Sequence, residues 1–115
     1  MTKIYISGPM SGLVGYNFSA FDLMAEKLQK KGYEVFNPAD VGRKYLKRAN
    51  NQGTPFDYYG CLREVLHELR SCDAIYLLPG WHHSHGAKKE LFVAIKKNLA
   101  IILSEEELDE WSCLK

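Results

Sequence analysis

The sequence has little of what marks several common classes of protein. It contains only three cysteines, none in a CxxC pair, which argues against a disulfide framework and a cysteine-bound metal site. Its opening residues hold no long apolar run, so neither a signal peptide nor a membrane span is predicted. Fifteen basic residues against fourteen acidic ones give a net charge of +1, which provides no electrostatic footprint for a nucleic-acid polymer. These features favour a cytoplasmic protein with reduced thiols.

The pattern that is present alternates between strands and helices. A length of 115 residues predicts one domain, residues 1–115, and 46% hydrophobic content is ordinary for a globular protein. Apolar runs predict strands at 3–7, 33–36, 73–78 and 99–103. Helical spacing predicts helices from 17 or 19 to near 32, around 41–49, at 58–70, at 86–98, and from 104 to near 111. The alternation predicts a compact, three-layer, Rossmann-like or flavodoxin-like α/β domain with a parallel sheet of four or five strands.

Ligands of such sheets bind beyond the carboxyl ends of the strands. The loops at that edge are 8–16, 37–40 and 79–85. The first carries Gly8, Gly12 and Gly15, and its backbone N–H groups could hold an anion. It matches neither the GxGxxG fingerprint nor the P-loop, and a plain tight connection is an equally good interpretation.

Glu90 is the most informative single residue. Its neighbours one helical turn away, Gly86, Ala87, Val93 and Ala94, cannot pair with a carboxylate. It lies on the flank of an apolar stripe, near a helix start whose dipole can keep it ionised. This favours a functional carboxylate, and the alternative is a partly exposed glutamate at the boundary of the core.

The loop before that helix forms the other rim of the predicted site. Ser84 can cap the helix or offer its hydroxyl to a ligand. Trp81 follows a buried strand and either overhangs the pocket or anchors the loop. His82, His83 and His85 resemble metal ligands, but adjacent histidines rarely surround one ion without partners from elsewhere, so no metal is predicted.

Five segments together resemble the nucleoside 2-deoxyribosyltransferase-like superfamily. In chain order they are KIYISGPMSG, YNFSAF, EVFNPAD, CDAIYLLPGW and SHGAKKE, and they span most of residues 3–103. The closer resemblance is to a small branch of unknown function that is common in phage and prophage genomes. The combination of GPMSG with LLPGW and SxGAxxE is quite specific. The S-x-G-x-x-x-E pattern is also similar to deoxynucleoside-monophosphate N-glycosidases.

The resemblance implies roles for individual residues. Glu90 matches the catalytic nucleophile and Tyr5 the strand tyrosine that orients it. The loop that begins at Gly8, together with Ser84 and Gly86, matches contacts to sugar or phosphate. The full set of expected substrate-binding residues is Gly8, Pro9, Met10, Ser11, Gly12, Asn17, Asp40, Gly80, Trp81, Ser84 and Gly86.

The implied reaction is cleavage or transfer at the N-glycosidic bond of a deoxynucleoside or its 5′-monophosphate. Glu90 attacks C1′ to give a covalent glycosyl-enzyme, which a second base resolves in a transferase and water resolves in a hydrolase. The resemblance implies no metal and no organic cofactor. It implies a small-molecule substrate, no membrane partner, and a homo-oligomer.

The sequence departs from the superfamily at one position. An aspartate that faces the nucleobase usually stands eight residues before the aspartate of the third strand, and counting back from Asp73 leads to Val65. Glu64 is turned about 100° around the helix, whereas Asp40 or Asp57 could reach in from loops. Two alternatives follow: a non-catalytic protein that binds a nucleotide-like ligand for sequestration or signalling, and an interaction module with a vestigial pocket.

Overall fold

Four short strands form one all-parallel sheet in the computed structural model, which describes residues 2–114. The strands are β1 (Lys3–Ser7), β2 (Glu34–Phe36), β3 (Ala74–Leu77) and β4 (Ala100–Ile102). Their order across the sheet is β2-β1-β3-β4, so β1 and β3 are central. The predicted α/β fold with a parallel sheet is confirmed.

In the described part of the chain, five α-helices connect and flank the strands. They are α1 (Phe18–Lys30), α2 (Pro38–Gln52), α3 (Tyr58–Leu69), α4 (His85–Lys96) and α5 (Glu105–Leu114), with short 3₁₀ turns at Val14–Asn17 and Trp81–His83. Among residues 2–114, no helix is long and apolar enough to cross a membrane.

The predicted bounds of the second helix, 41–49, are wrong at both ends. The side chain of Asn37 accepts a hydrogen bond from the N–H of Ala39, and Pro38 occupies the first turn, where a missing N–H costs nothing. At the other end the helix continues to Gln52, and Gly53 terminates it with a φ of 64°. The last helix likewise continues beyond Trp111 to Leu114.

The sheet separates two apolar layers, because successive side chains of a strand point to opposite faces. Ile4 and Ile6 of β1 pack with α1 and α5, where Leu28 and Leu108 are fully buried. Tyr5 lies on the other face, in the cluster formed with α2, α3 and α4. The face that carries Tyr5 is therefore the face against which α4 presents its inner residues.

β1 and β3 end level with each other, which brings their following loops together. Ser7 pairs with Leu77, and the N–H of Leu78 donates to the carbonyl oxygen of Ser7 at 2.8 Å. A Cβ on Gly8 would lie 2.8 Å from Cβ of Leu78, so only glycine allows this approach of the two chains.

Candidate active site

A cavity of about 520 Å³ opens at the carboxyl edge of the sheet. The loop after β1, helices α2 and α3, and the start of α4 form its walls. Seven of the residues predicted from sequence line it: Gly8, Pro9, Met10, Ser11, Ser84, Gly86 and Glu90. The structure therefore brings together the two rims that the sequence predicted.

Glu90 is the one carboxylate among the described residues that line this cavity, and it is 8% exposed. The phenol of Tyr5 donates a hydrogen bond to its Oε2 at 2.5 Å, and the hydroxyl of Ser7 donates to its Oε1 at 2.6 Å. Each oxygen is therefore held by a hydrogen bond, which is charge-assisted when the carboxyl group is ionised. The alternative interpretation, a partly exposed boundary glutamate, is wrong because the side chain is buried and bonded.

Burial raises the pKa of Glu90 from 4.5 to about 7, and the hydrogen bonds from Ser7 and Tyr5 act in the opposite direction. Burial therefore opposes the ionising effect expected from the helix start. The pKa of Tyr5 is raised well above 10 by burial and by the neighbouring Glu90. At neutral pH the tyrosine is a protonated donor, while Glu90 populates both its ionised and its protonated form.

Burial and a stacking contact hold the side chain of Tyr5 in place. The residue is fully buried, and its ring stacks on Phe36 with a centroid distance of 5.4 Å and an interplanar angle of 20°. Ser7 lies two positions along β1 and therefore on the same face. The sequence analysis missed Ser7, although the period-two alternation from Tyr5 was a signal that could have found it.

The start of α4 forms the polar rim above Glu90. Ser84 accepts a hydrogen bond from the N–H of Ala87 at 3.2 Å, which confirms its predicted role as the helix cap. Gly86 has no side chain and leaves the cavity open beside the cap. This rim thus presents the Ser84 hydroxyl, backbone groups and the imidazole of His85.

Three of the predicted substrate contacts in the first two loops lie outside the cavity lining. Gly12 is exposed and has a φ of 78°. The Nδ2 group of Asn17 donates to the carbonyl oxygen of Pro9 at 3.0 Å, which ties the loop together. Asp40 is exposed and forms an ion pair with Arg43 at 2.9 Å.

The other two, Gly80 and Trp81, also lie outside the lining. Gly80 has a φ of 86°, which turns the chain sharply after β3. Trp81 is partly buried and packs against the cluster that contains Tyr5. Of the two interpretations of Trp81, the loop anchor describes its position.

Sequence reasoning also missed an apolar wall of the cavity, to which α1, α2, α3 and the flanking loops contribute. On α3, side chains at helical spacing face the cavity, and aromatic residues from the flanking loops and from α1 extend the same wall. The residues of this wall are Tyr16, Phe18, Phe21, Leu46, Phe56, Tyr58, Cys61, Leu62 and Val65. Burial raises the pKa of the Cys61 thiol to about 11, so the thiol stays neutral.

None of the acids considered as substitutes at the Val65 position lines the cavity. Asp57 caps α3 by accepting from the N–H of Gly60 at 2.9 Å. Glu64 binds Lys44 at 2.6 Å and accepts from the phenol of Tyr45 at 3.1 Å. Asp40 is in the ion pair described above.

The histidine loop contributes to the cavity without forming a metal cluster. His83 and His85 are lining residues, and the rings of His82 and His83 are 4.0 Å apart. Within residues 2–114, no three His, Cys, Asp or Glu side chains are grouped so that they could hold a metal ion.

Residues 2–103 match a protein family described as a domain of unknown function, DUF4406. The chain belongs to this family. The matched segment includes every residue of the cavity lining, so the site is built entirely from the DUF4406 domain. A comparison with curated proteins finds no match.

Proposed function

We propose that this DUF4406 protein cleaves or transfers the 2-deoxyribosyl group of a deoxynucleoside or its 5′-monophosphate, with Glu90 as the nucleophile. The observation that carries the proposal is a buried carboxylate, held at both oxygens, that lines a ligand-sized cavity. The sequence resemblance to 2-deoxyribosyltransferases and N-glycosidases supports the same assignment. The volume of about 520 Å³ lies in the range typical of small-molecule sites.

The two walls of the cavity suit the two halves of such a substrate. A nucleobase is flat and aromatic, and Phe18, Phe56 and Tyr58 supply rings for it to contact. The sugar carries hydroxyl groups, for which Ser84 and the loop at Gly8 supply polar partners. Glu90 lines the same cavity as both groups of residues, as a nucleophile at the sugar–base junction would.

In the proposed reaction, an ionised oxygen of Glu90 attacks C1′ as the C1′–N bond breaks, and the bonding electrons leave with the base. The leaving base takes up a proton, and the sugar remains as an ester of Glu90. Water or a second base then attacks C1′ and releases the carboxylate, and its proton returns to the group that protonated the leaving base. Two inversions at C1′ give overall retention.

Proton delivery to the leaving base is the step for which the cavity has no second carboxylate. Among the described lining residues, His83 and His85 carry imidazole groups, which can both donate and accept a proton. We assign proton delivery to this histidine loop or to water in the open cavity.

The decisive test is chromatographic release of free base from a panel of deoxynucleosides and their 5′-monophosphates. Each substrate is incubated with and without a second base, beside the Glu90→Ala and Glu90→Gln variants. We expect release that needs Glu90, and product formation with the second base identifies a transferase. Release that is unchanged in both variants would refute the assignment.

A non-catalytic binder is the second candidate, and Val65 is the observation that favours it, because this side chain occupies the cavity wall in place of an acid. Calorimetry separates the two functions: tight nucleoside or nucleotide binding without base release supports the binder. If no such ligand raises the melting temperature, a vestigial pocket is indicated, since a ligand at 100 times its Kd adds about 2.7 kcal/mol.

We also propose a cytoplasmic location and a homo-oligomeric state. The three cysteines Cys61, Cys72 and Cys113 are all free, which suits a reducing compartment. The oligomer rests on the resemblance, and light scattering coupled to size-exclusion chromatography tests it. A monomeric mass would refute the proposed oligomer.

A further inference from the structure

We propose that Ser7 is a positioning residue that holds and orients the carboxylate of Glu90 for reaction. The inference rests on the proposed role of Glu90 as nucleophile. It gives a function to a fully buried hydroxyl that lies behind the cavity wall and does not itself line the cavity.

Each oxygen of the Glu90 carboxylate accepts a hydrogen bond from a different donor. The hydroxyl of Ser7 lies 2.6 Å from Oε1, and the phenol of Tyr5 lies 2.5 Å from Oε2. The α4 residues one turn from Glu90 are Gly86, Ala87, Val93 and Ala94, and their side chains cannot donate to it. With the serine hydroxyl removed, Oε1 would lose a partner at a fully buried position that does not line the cavity.

Ser7 is also held in place by its backbone. It is the last residue of a central strand, it pairs with Leu77, and its carbonyl oxygen accepts from the N–H of Leu78 at 2.8 Å. Gly8 follows and packs against Leu78. With the main chain fixed on both sides, rotation about χ1 is the freedom left to the hydroxyl, and the bond to Glu90 directs it.

The electrostatic effect of this bond has a definite sign. Burial raises the pKa of Glu90 to about 7, and the hydrogen bond from Ser7 lowers it. The titratable groups that bond to Glu90 or line the same cavity are Tyr5 from β1, Cys61 and Tyr58 from α3, Tyr16 from the first loop, and His83 and His85 from the loop and start of α4. The pKa values of Tyr5 and Cys61 are raised, so both stay neutral near pH 7. Loss of the serine hydroxyl therefore shifts the pKa of Glu90 upward.

The test compares Ser7→Ala with Ser7→Cys and with Ser112→Ala, an exposed serine of α5. The pKa of Glu90 is measured by carboxyl ¹³C NMR, and kcat/KM for base release is measured from pH 5 to 9. We expect Ser7→Ala to raise the pKa by about one unit and to move the acidic limb of the rate profile with it, so that release falls about tenfold at pH 6. Ser7→Cys keeps a weak donor and should shift both readouts less, and it replaces the alanine variant if that variant does not fold.

A purely structural serine would give a different result. Its loss would lower the melting temperature while the pKa of Glu90 and the shape of the rate profile stayed unchanged, and that result overturns the proposal. The NMR measurement needs no catalysis, so it separates this inference from the proposed function. The native protein could release no base while Ser7→Ala still raises the pKa of Glu90. That result would refute the proposed function and would support the inference that Ser7 holds the carboxylate.

Discussion

The phenol of Tyr5 donates a 2.5 Å hydrogen bond to Glu90 across 85 positions of sequence. This bond joins the central strand β1 to helix α4 through two buried side chains. The candidate nucleophile is therefore part of the packing between the sheet and its covering helix. Substitutions at the site should change stability as well as reactivity, and the direction of each change follows from burial and bonding.

Glu90→Gln should stabilise the protein at alkaline pH. The pKa of Glu90 is raised from 4.5 to about 7, so below 4.5 the carboxyl is protonated in both folded and unfolded chains. As the pH rises from 4.5 to 7 the unfolded chain ionises first, and the folded state loses about 3 kcal/mol. A neutral glutamine avoids this loss.

Differential scanning fluorimetry from pH 4 to 8 measures the effect. We expect Glu90→Gln to melt several degrees above the native protein at pH 8, with the difference vanishing near pH 4. Glu110→Gln, at an exposed position of α5, is the matched control and should show no such pH dependence. A Glu90→Gln curve parallel to the native curve at every pH would contradict the raised pKa.

Val65→Asp should accelerate base release, because it adds a carboxyl group to the apolar wall of the cavity, which carries none. Val65 is 5% exposed and lines the cavity, and general acid catalysis contributes roughly 10²- to 10⁴-fold. We expect release at least about tenfold faster in Val65→Asp, measured by chromatography at pH 5 to 7.

Val65→Asn is the control for shape and polarity, since it cannot donate a carboxyl proton. Both variants bury a polar group and should lose about 1 to 3 kcal/mol of stability, which denaturant unfolding checks. Equal rates in the two variants would mean that proton transfer does not limit the reaction.

Sequence predicted the parts of this fold that carry a strong local pattern. The β-branched and aromatic run of residues 3–7, which stops at Gly8-Pro9, identified β1, and the absence of helical partners identified Glu90. Ser7 was missed because it ends its strand beside a glycine turn, where a small polar residue is expected for local reasons alone.

The remainder of the site depends on backbone directions that no pattern of residue types encodes. Phe56 lies in a loop without periodicity, and its place in the cavity wall follows from how α2 and α3 converge. Trp81 follows Gly80, whose positive φ turns the chain, and its ring packs against the core cluster that contains Tyr5. The start of α2 at Pro38 is different, because the Asn37-Pro38 cap is a pattern of residue types, and it was interpreted as the end of a strand.

Gly8→Ala should destabilise the protein, whereas Gly86→Ala should not. A Cβ at Gly8 would lie 2.8 Å from Cβ of Leu78, and overpacking of this kind costs about 1 to 3 kcal/mol. At Gly86 the nearest atom to a new Cβ is the Ser84 hydroxyl oxygen at 3.8 Å, and alanine favours the helix. Urea unfolding of both variants tests this contrast, and equal midpoints would mean that β1 and β3 can separate at their ends without cost.

Ser84→Ala and Ser104→Ala form a matched pair that separates capping from substrate contact. Ser84 accepts from the N–H of Ala87 at 3.2 Å, and Ser104 accepts from the N–H of Glu107 at 3.1 Å, so each caps its helix in the same way. Each variant should lose about 1 kcal/mol of stability. Ser84 lines the cavity, whereas Ser104 precedes α5 on the opposite face of the sheet.

The two variants should therefore differ in function and not in stability. We expect Ser84→Ala to raise KM for base release, or the Kd of a bound nucleoside, by about three- to tenfold, since a hydrogen bond contributes about 0.5 to 1.5 kcal/mol. Ser104→Ala should leave both constants unchanged. If the two variants lose equal stability and neither changes KM or Kd, Ser84 acts as a helix cap alone, and the substrate must find its polar contacts on the loop that begins at Gly8.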